Sequence, residues 1–207
     1  MTRIDQLNSR RAVVIATAVA TLAIALLATL ALPGTGAAAP AQSGGGSACP
    51  DADQPAAEST PLELRRSVRC LINFERALHG RTKLARAKPL QKAAQHHTEV
   101  MVETDCLAHQ CGGEAELADR VAHSGYLDGA DAWQFAESTG CGVSARAMVE
   151  NWIATRFHRI NLLDKTYGDI GVGVVQEPVA ERCDEGFATF AVVFGWRTPE
   201  PEPVPAS

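Results

Sequence analysis

The 207-residue chain has no basic cluster, and its net charge of −5 argues against nucleic acid or an anionic surface as a partner. It has no internal repeat. Beyond an N-terminal apolar run, nothing marks an integral membrane domain. The "GVGV" of Gly171–Val174 lacks the G-x-G-x-x-G spacing and precedes no helix, so it is not a dinucleotide site. Those glycines are expected to let another part of the molecule pack closely against a strand. Ser138 and Ser144 lack a nucleophile-elbow motif, and Ser124 sits at a helix stop, so no serine stands out as a nucleophile.

What the chain does have begins with an export pattern. Arg3, Arg10 and Arg11 precede an apolar run from Ala12 to Leu32, and Ala37-x-Ala39 offers a small-residue cleavage site. The run is long enough to span a bilayer, so residues 1–39 read as a signal peptide, the favoured reading, or as a retained signal anchor. Either reading puts the remainder outside the cytoplasm, secreted or anchored by that segment. There, six cysteines read first as a disulfide framework, with fifteen pairings open. "CLAHQC", Cys106 to Cys111, is ambiguous by itself. It could be half of a zinc site or a short covalent loop presenting His109.

Residues 40–60 are rich in Pro, Gly, Ser and Ala and read as a flexible linker, and 199–207 as a disordered Pro/Glu tail. Residues 61–198 have the size of a single domain. Thr60 and Pro61 open a helix as N-cap and N1, with Leu64, Val68, Leu71, Ile72 and Phe74 as its apolar stripe and His79-Gly80 as its stop. A second helix spans about 89–103, with Leu90, Ala93, Ala94, His97, Val100 and Met101 on one face. Adjacent His96 and His97 point about 100° apart, which makes one half-buried and one solvated. Further helices are expected over 114–123 and about 143–154. "DIGVGVV" and "FATFAVVFGW" read as a β-hairpin, and a short strand fits around Trp133–Glu137. Helices first and strands last describe an α+β domain.

"CLINFERALHGRTKL" from Cys70, "AHQ" at His109, "AES" at Glu137, "NWIATRFHRINLL" from Asn151 and "YGDIGVGVV" follow one another in order. Together they resemble the bacterial branch of the CAP superfamily: cysteine-rich secretory proteins, antigen 5 and pathogenesis-related proteins (the SCP-like extracellular domain). The resemblance implies a three-layer α-β-α sandwich. It also implies a surface cleft in which two histidines and acidic residues gather and, in some members, bind a divalent cation. Carried over by position, these are His109, Glu137 and His158, a tentative set for Zn²⁺, Ca²⁺ or Mg²⁺ with no cofactor required. The second glutamate of eukaryotic members falls on Thr155, so Asp119 in "LADRV" becomes the substitute candidate and Glu114 a weaker one. Arg156-Phe157 stands where the family has Pro-Gly, and Ala136 and Ser138 flank Glu137 where it has Gly and Asn. With the family in view, the preferred disulfides are Cys49–Cys70, Cys106–Cys111 and Cys141–Cys183.

The expected function is an exported, monomeric binding module whose cleft takes an extracellular ligand: a cation, a lipid or a cell-wall component. A metal- or histidine-assisted hydrolase acting on peptide or glycan is the alternative. A structural surface domain with a vestigial cleft is the third, supported by Thr155.

Overall fold

The computed structural model describes residues 49–199, so the signal segment, residues 40–48 of the expected linker and most of the tail lie outside the described residues. The described residues belong to one compact unit. This unit contains both hydrophobic clusters and all three disulfides, so it carries what it needs to fold by itself.

Helix α1 (Pro61–Leu78) starts at a capping box. The Thr60 hydroxyl accepts from the Glu63 N–H at 3.3 Å, and the Glu63 carboxylate accepts from the Thr60 N–H at 2.7 Å. The helix ends in a Schellman turn. Arg81 N–H donates to Arg76 C=O at 2.7 Å and Gly80 N–H to Ala77 C=O at 3.1 Å, with Gly80 at φ +64°. Helices α2 (Lys88–Glu103), α3 (Leu117–His123), α4 (Ala145–Ala154) and α5 (Arg156–Leu163) follow, with strands β1 (Ala85–Arg86), β2 (Ala130–Gly142), β3 (Asp169–Val175) and β4 (Ala188–Pro199). The sheet order is β1-β3-β4-β2. β3 and β2 both run antiparallel to β4, and β1 adds a two-residue parallel edge.

Period-two alternation divides the sheet between two cores. Ile170, Val172 and Val174 of β3 and Phe190, Val192 and Phe194 of β4 face α1, α4 and α5. Ala191 and Val193 face α2 and α3. The result is a three-layer α-β-α sandwich, as the family resemblance implies. On the α2 face, β3 presents Gly171 and Gly173, where an added Cβ would lie 2.1 Å from Leu90 C and 2.3 Å from Ala94 O. α2 therefore packs onto the bare backbone of the strand, which accounts for "GVGV".

Three elements differ from the sequence reading. α3 begins at Leu117 rather than Glu114, because the Glu114 side chain is drawn into the polar network described below. β2 is far longer than a strand at 133–137. Its glycines weaken its local strand signal, yet Gly140 leaves the space that Met148 fills, and pairing with β4 extends along it. α5 has no counterpart in the sequence reading. It follows α4 directly and is held by the buried Arg76 of α1, whose guanidinium donates to the carbonyls of Leu162 (2.7 Å), Asp164 (3.0 Å), Tyr167 (3.3 Å) and Thr82 (2.8 Å).

The disulfides are Cys49–Cys70, Cys106–Cys111 and Cys141–Cys183, the preferred set. By chain entropy the last contributes about 4 kcal/mol, while the short Cys106–Cys111 loop contributes about 2 kcal/mol and acts mainly on the segment carrying His109. Three disulfides fit an oxidising compartment outside the cytoplasm. No described helix is long and apolar enough to cross a membrane.

Candidate functional site

Glu137 sits in mid-β2 opposite Val193, so its side chain projects to the α2/α3 face of the sheet, where it is buried. Two carbonyls on the free edge of β2 are capped by the neighbouring helices. Asn161 Nδ2 of α5 donates to Glu137 O at 3.2 Å, and Trp152 Nε1 of α4 donates to Thr139 O at 3.0 Å. These bonds blunt the edge strand and set α5, with His158, beside Glu137.

Arg120 of α3 organises the buried carboxylates. Its Nη2 lies 3.2 Å from Glu137 Oε2 and 3.3 Å from Oε1, and its Nη1 lies 3.3 Å from Glu114 Oε1. The same Nη2 donates to His109 C=O at 2.8 Å, tying the stapled loop to the network. His97 of α2 completes it. Its Nδ1 lies 2.8 Å from Glu114 Oε2 and its Nε2 3.0 Å from Ala108 C=O. Two carboxylates thus face the Arg120 guanidinium and the His97 ring in a dry interior, where buried charge is tolerated only when it is paired.

His109 lies at the mouth. Its ring is 63% exposed, with Nδ1 3.1 Å from Glu137 Oε1. That hydrogen bond raises its pKa above the ordinary histidine value, with burial acting in the opposite sense. His158 is half-buried, and its Nδ1 is buried without a hydrogen-bond partner. Burial lowers its pKa, and the neighbouring charge of His109 lowers it further.

The two rings should therefore titrate on opposite sides of about 6.5. The fold favours protonated His109. Its contribution to stability is complete below the unfolded value and fades as pH rises through the raised folded one. The fold favours neutral His158, whose contribution is present above the unfolded value and is lost as pH falls through the depressed folded one. Between the two, the mouth holds a cationic His109 beside a neutral His158. In an NMR titration, His109→Ala should move His158 partway back towards the ordinary value. An unmoved His158 would mean the rings are not coupled.

His109 lies on Glu137, and His158 is near enough to His109 to feel its charge. Asp119 does not join them, since it is exposed in the first turn of α3. Its neighbour Arg120 is the buried member of "DR", and Glu114 is the acid that enters the network. His97, read from sequence as one of two ordinary helix histidines, is fully buried at the network's centre. Two signals for these residues were present. His97 lies on the apolar face of α2, and Arg120 falls in register with Leu117 and Val121 on the buried face of α3.

The tentative cation set meets an obstacle. The Glu137 carboxylate that would ligate a metal is already held by Arg120 and His109, so a divalent cation there would face a guanidinium. Thr155 supplies no carboxylate in exchange. The residues present do not fit a His₂Glu cation site in this arrangement, and among the described residues no group of three His, Cys, Asp or Glu side chains is placed to hold a metal ion. A cavity of about 320 Å³ lies behind Arg120 between α2 and α3, lined by Lys92, His96, His123 and Ser124, but neither His109 nor His158 lines it.

An α-β-α sandwich with a His/Glu mouth held over the edge of its sheet defines a domain of the SCP type. The model of the "CAP: Cysteine-rich secretory protein family" matches residues 70–193, and the chain belongs to that family. A curated relative, "Uncharacterized membrane protein YlbC" of Bacillus subtilis (strain 168), is 33% identical over 105 residues, which is 50% of this chain and only 29% of that protein. Among solved structures, an outer surface protein from Borrelia burgdorferi superposes with a TM-score of 0.57 at 18% identity, covering 68% of this chain and 97% of that one. An extracellular protein containing an SCP domain from Bacillus anthracis str. Ames superposes at 0.52 and 20% identity, covering 66% and 43%. At these identities the two structures speak for the fold alone.

Proposed function

We propose that this is an extracellular binding domain whose mouth, formed by His109 and His158, receives a polar group of a cell-envelope component. The supporting observation is the commitment of Glu137. With its carboxylate held by Arg120, it acts as an anchor that orients His109 rather than as an exposed base or ligand. His109 Nδ1 faces that anchor and the ring is largely exposed, so its protonated form has a donor at Nε2 for a carboxylate or hydroxyl. No cysteine thiolate is available, since all six cysteines are in disulfides. Ser138 is fully buried on the opposite face of β2 from Glu137. Both facts favour binding over covalent catalysis.

Calorimetric titration of the Ala41–Ser207 domain with soluble muropeptides, repeated on His109→Ala/His158→Ala, tests the reading. A binding heat that falls at least tenfold in affinity in the double variant is expected. Equal heats for the two proteins, or none for the parent, would refute the assignment. Cleavage of the muropeptides that disappears in the variant would replace binding with hydrolysis.

A further inference from the structure

Helix α5 has two faces. His158, Asn161 and Leu162 point towards the sheet and the site described above, with Leu162 fully buried and Asn161 on Glu137. Arg156, Arg159, Ile160 and Leu163, spaced i, i+3, i+4 and i+7, form the other face. That face lines an open groove of about 620 Å³, together with Arg81 from the turn after α1 and Asp164 and Lys165 from the segment after α5. Arg81, Arg156, Arg159 and Lys165 are all exposed, and none forms an ion pair with a described carboxylate. The one acid in the groove, Asp164, has its carboxylate on the Thr166 N–H. Four cations thus face one carboxylate, a local excess of positive charge that the net charge of −5 conceals, contrary to the expectation that no anionic surface is a partner. Ile160 in the groove is 55% exposed, and Phe157, three residues before it on the helix and outside the groove lining, is 80% exposed.

We propose that this outer face of α5 docks the domain on the surface of a bilayer containing anionic phospholipid. Cations at a membrane surface attract acidic headgroups, and an exposed aromatic with an aliphatic neighbour inserts at the headgroup boundary. The pairing of charge with Phe157 and Ile160 selects a bilayer over a soluble polyanion, which would engage the arginines and leave the apolar pair in water. Three of the cations, Arg156, Arg159 and Lys165, lie within ten residues, and the fold adds Arg81 from the turn after α1. Sixteen residues separate Leu32 from Cys49. They reach at most about 55 Å, so a membrane-retained apolar segment would keep the groove within range of the bilayer. The docking does not depend on that retention. It is also separate from the ligand mouth, which uses the opposite face of the same helix.

The test is co-sedimentation of the Ala41–Ser207 domain with vesicles of phosphatidylcholine containing 0 or about 30% phosphatidylglycerol at low ionic strength. Binding should require phosphatidylglycerol and weaken steeply with salt. Arg156→Glu/Arg159→Glu should weaken it at least about 25-fold, taking roughly fivefold for each cation removed from the surface. Phe157→Ala, with every charge intact, should weaken it several-fold. Both variants change exposed side chains, so their melting temperatures should match the parent's and loss of folding is not the readout. Equal binding to both vesicle types, or full binding by the double arginine variant, would overturn the proposal. So would capture by soluble polyphosphate that outcompetes the vesicles and ignores Phe157→Ala.

Discussion

Gly171→Ala should destabilise the domain by about 3 kcal/mol or more, at the upper end of the cost of overpacking. Its new Cβ would sit 2.1 Å from Leu90 C, 2.2 Å from Gln91 N and 2.5 Å from Leu90 O, all backbone atoms of α2. A flexible side chain could swing aside, but a helix backbone cannot yield locally without breaking its own hydrogen bonds. The whole helix must rise off the sheet and loosen the cluster of Leu90, Ala94, Met101 and Val193. At roughly 2–4 °C per kcal/mol for a domain of this size, the melting temperature should fall by about 6–12 °C. Gly112→Ala is the control: nothing lies within 4 Å of its added Cβ, and it should be neutral to within about 0.5 kcal/mol. His97 rides on α2, so Gly171→Ala should also shift its ring resonances. A Gly171→Ala protein that melts within about 2 °C of the parent would show that α2 is not seated on the strand as described.

The same contact shows why parts of the fold were legible in the sequence and others were not. Thr60-Pro61, His79-Gly80 and the alternation in "FATFAVVFGW" are local signals, written by capping chemistry and by the two-residue period of a strand. Each marks its element without help from the rest of the chain. β2 carries no such signal. "ESTGCG" is a poor strand former, and it is extended because β4 pairs along it and Met148 fills the space above Gly140. α5 is similar, since its position depends on Arg76, which lies 86 residues from its partner Leu162. In the site, family position points to His109, Glu137 and His158, and of the two acids offered beside them Asp119 stays in solvent while Glu114 enters the network. Asp119 and Arg120 are neighbours, and a helix turns one to solvent and the other inward. Pairing of buried charges across α2, α3 and β2 is a three-dimensional property. The sequence offered only an out-of-place histidine and arginine on two apolar stripes.

Arg120→Met should cost about 3–5 kcal/mol, the usual consequence of removing one partner from a buried ionic network. Methionine approximates the volume of arginine, so the loss reports charge and hydrogen bonds more than a cavity. It leaves Glu114 and Glu137, both nearly solvent-free, without the guanidinium that lies against them. Arg120→Met/Glu137→Gln should recover part of the stability, because the second change removes the carboxylate that the first left unpaired. A double-mutant cycle on urea midpoints measures that coupling. Arg120 Nη2 also holds the His109 carbonyl, so the Cys106–Cys111 loop should lose its inner attachment while keeping its disulfide. The His109 resonance should then move towards that of a free histidine, and muropeptide binding should weaken even at temperatures where the variant remains folded. If Arg120→Met is as stable as the parent and the cycle shows no coupling, Glu137 is not anchored by Arg120. The carboxylate would then be free to act as a ligand or base, and the cation reading of the cleft would return. A cost of several kcal/mol with strong coupling would instead establish one buried network beneath both the fold and the mouth. It balances the interior charge and, through one guanidinium nitrogen, sets where His109 is presented.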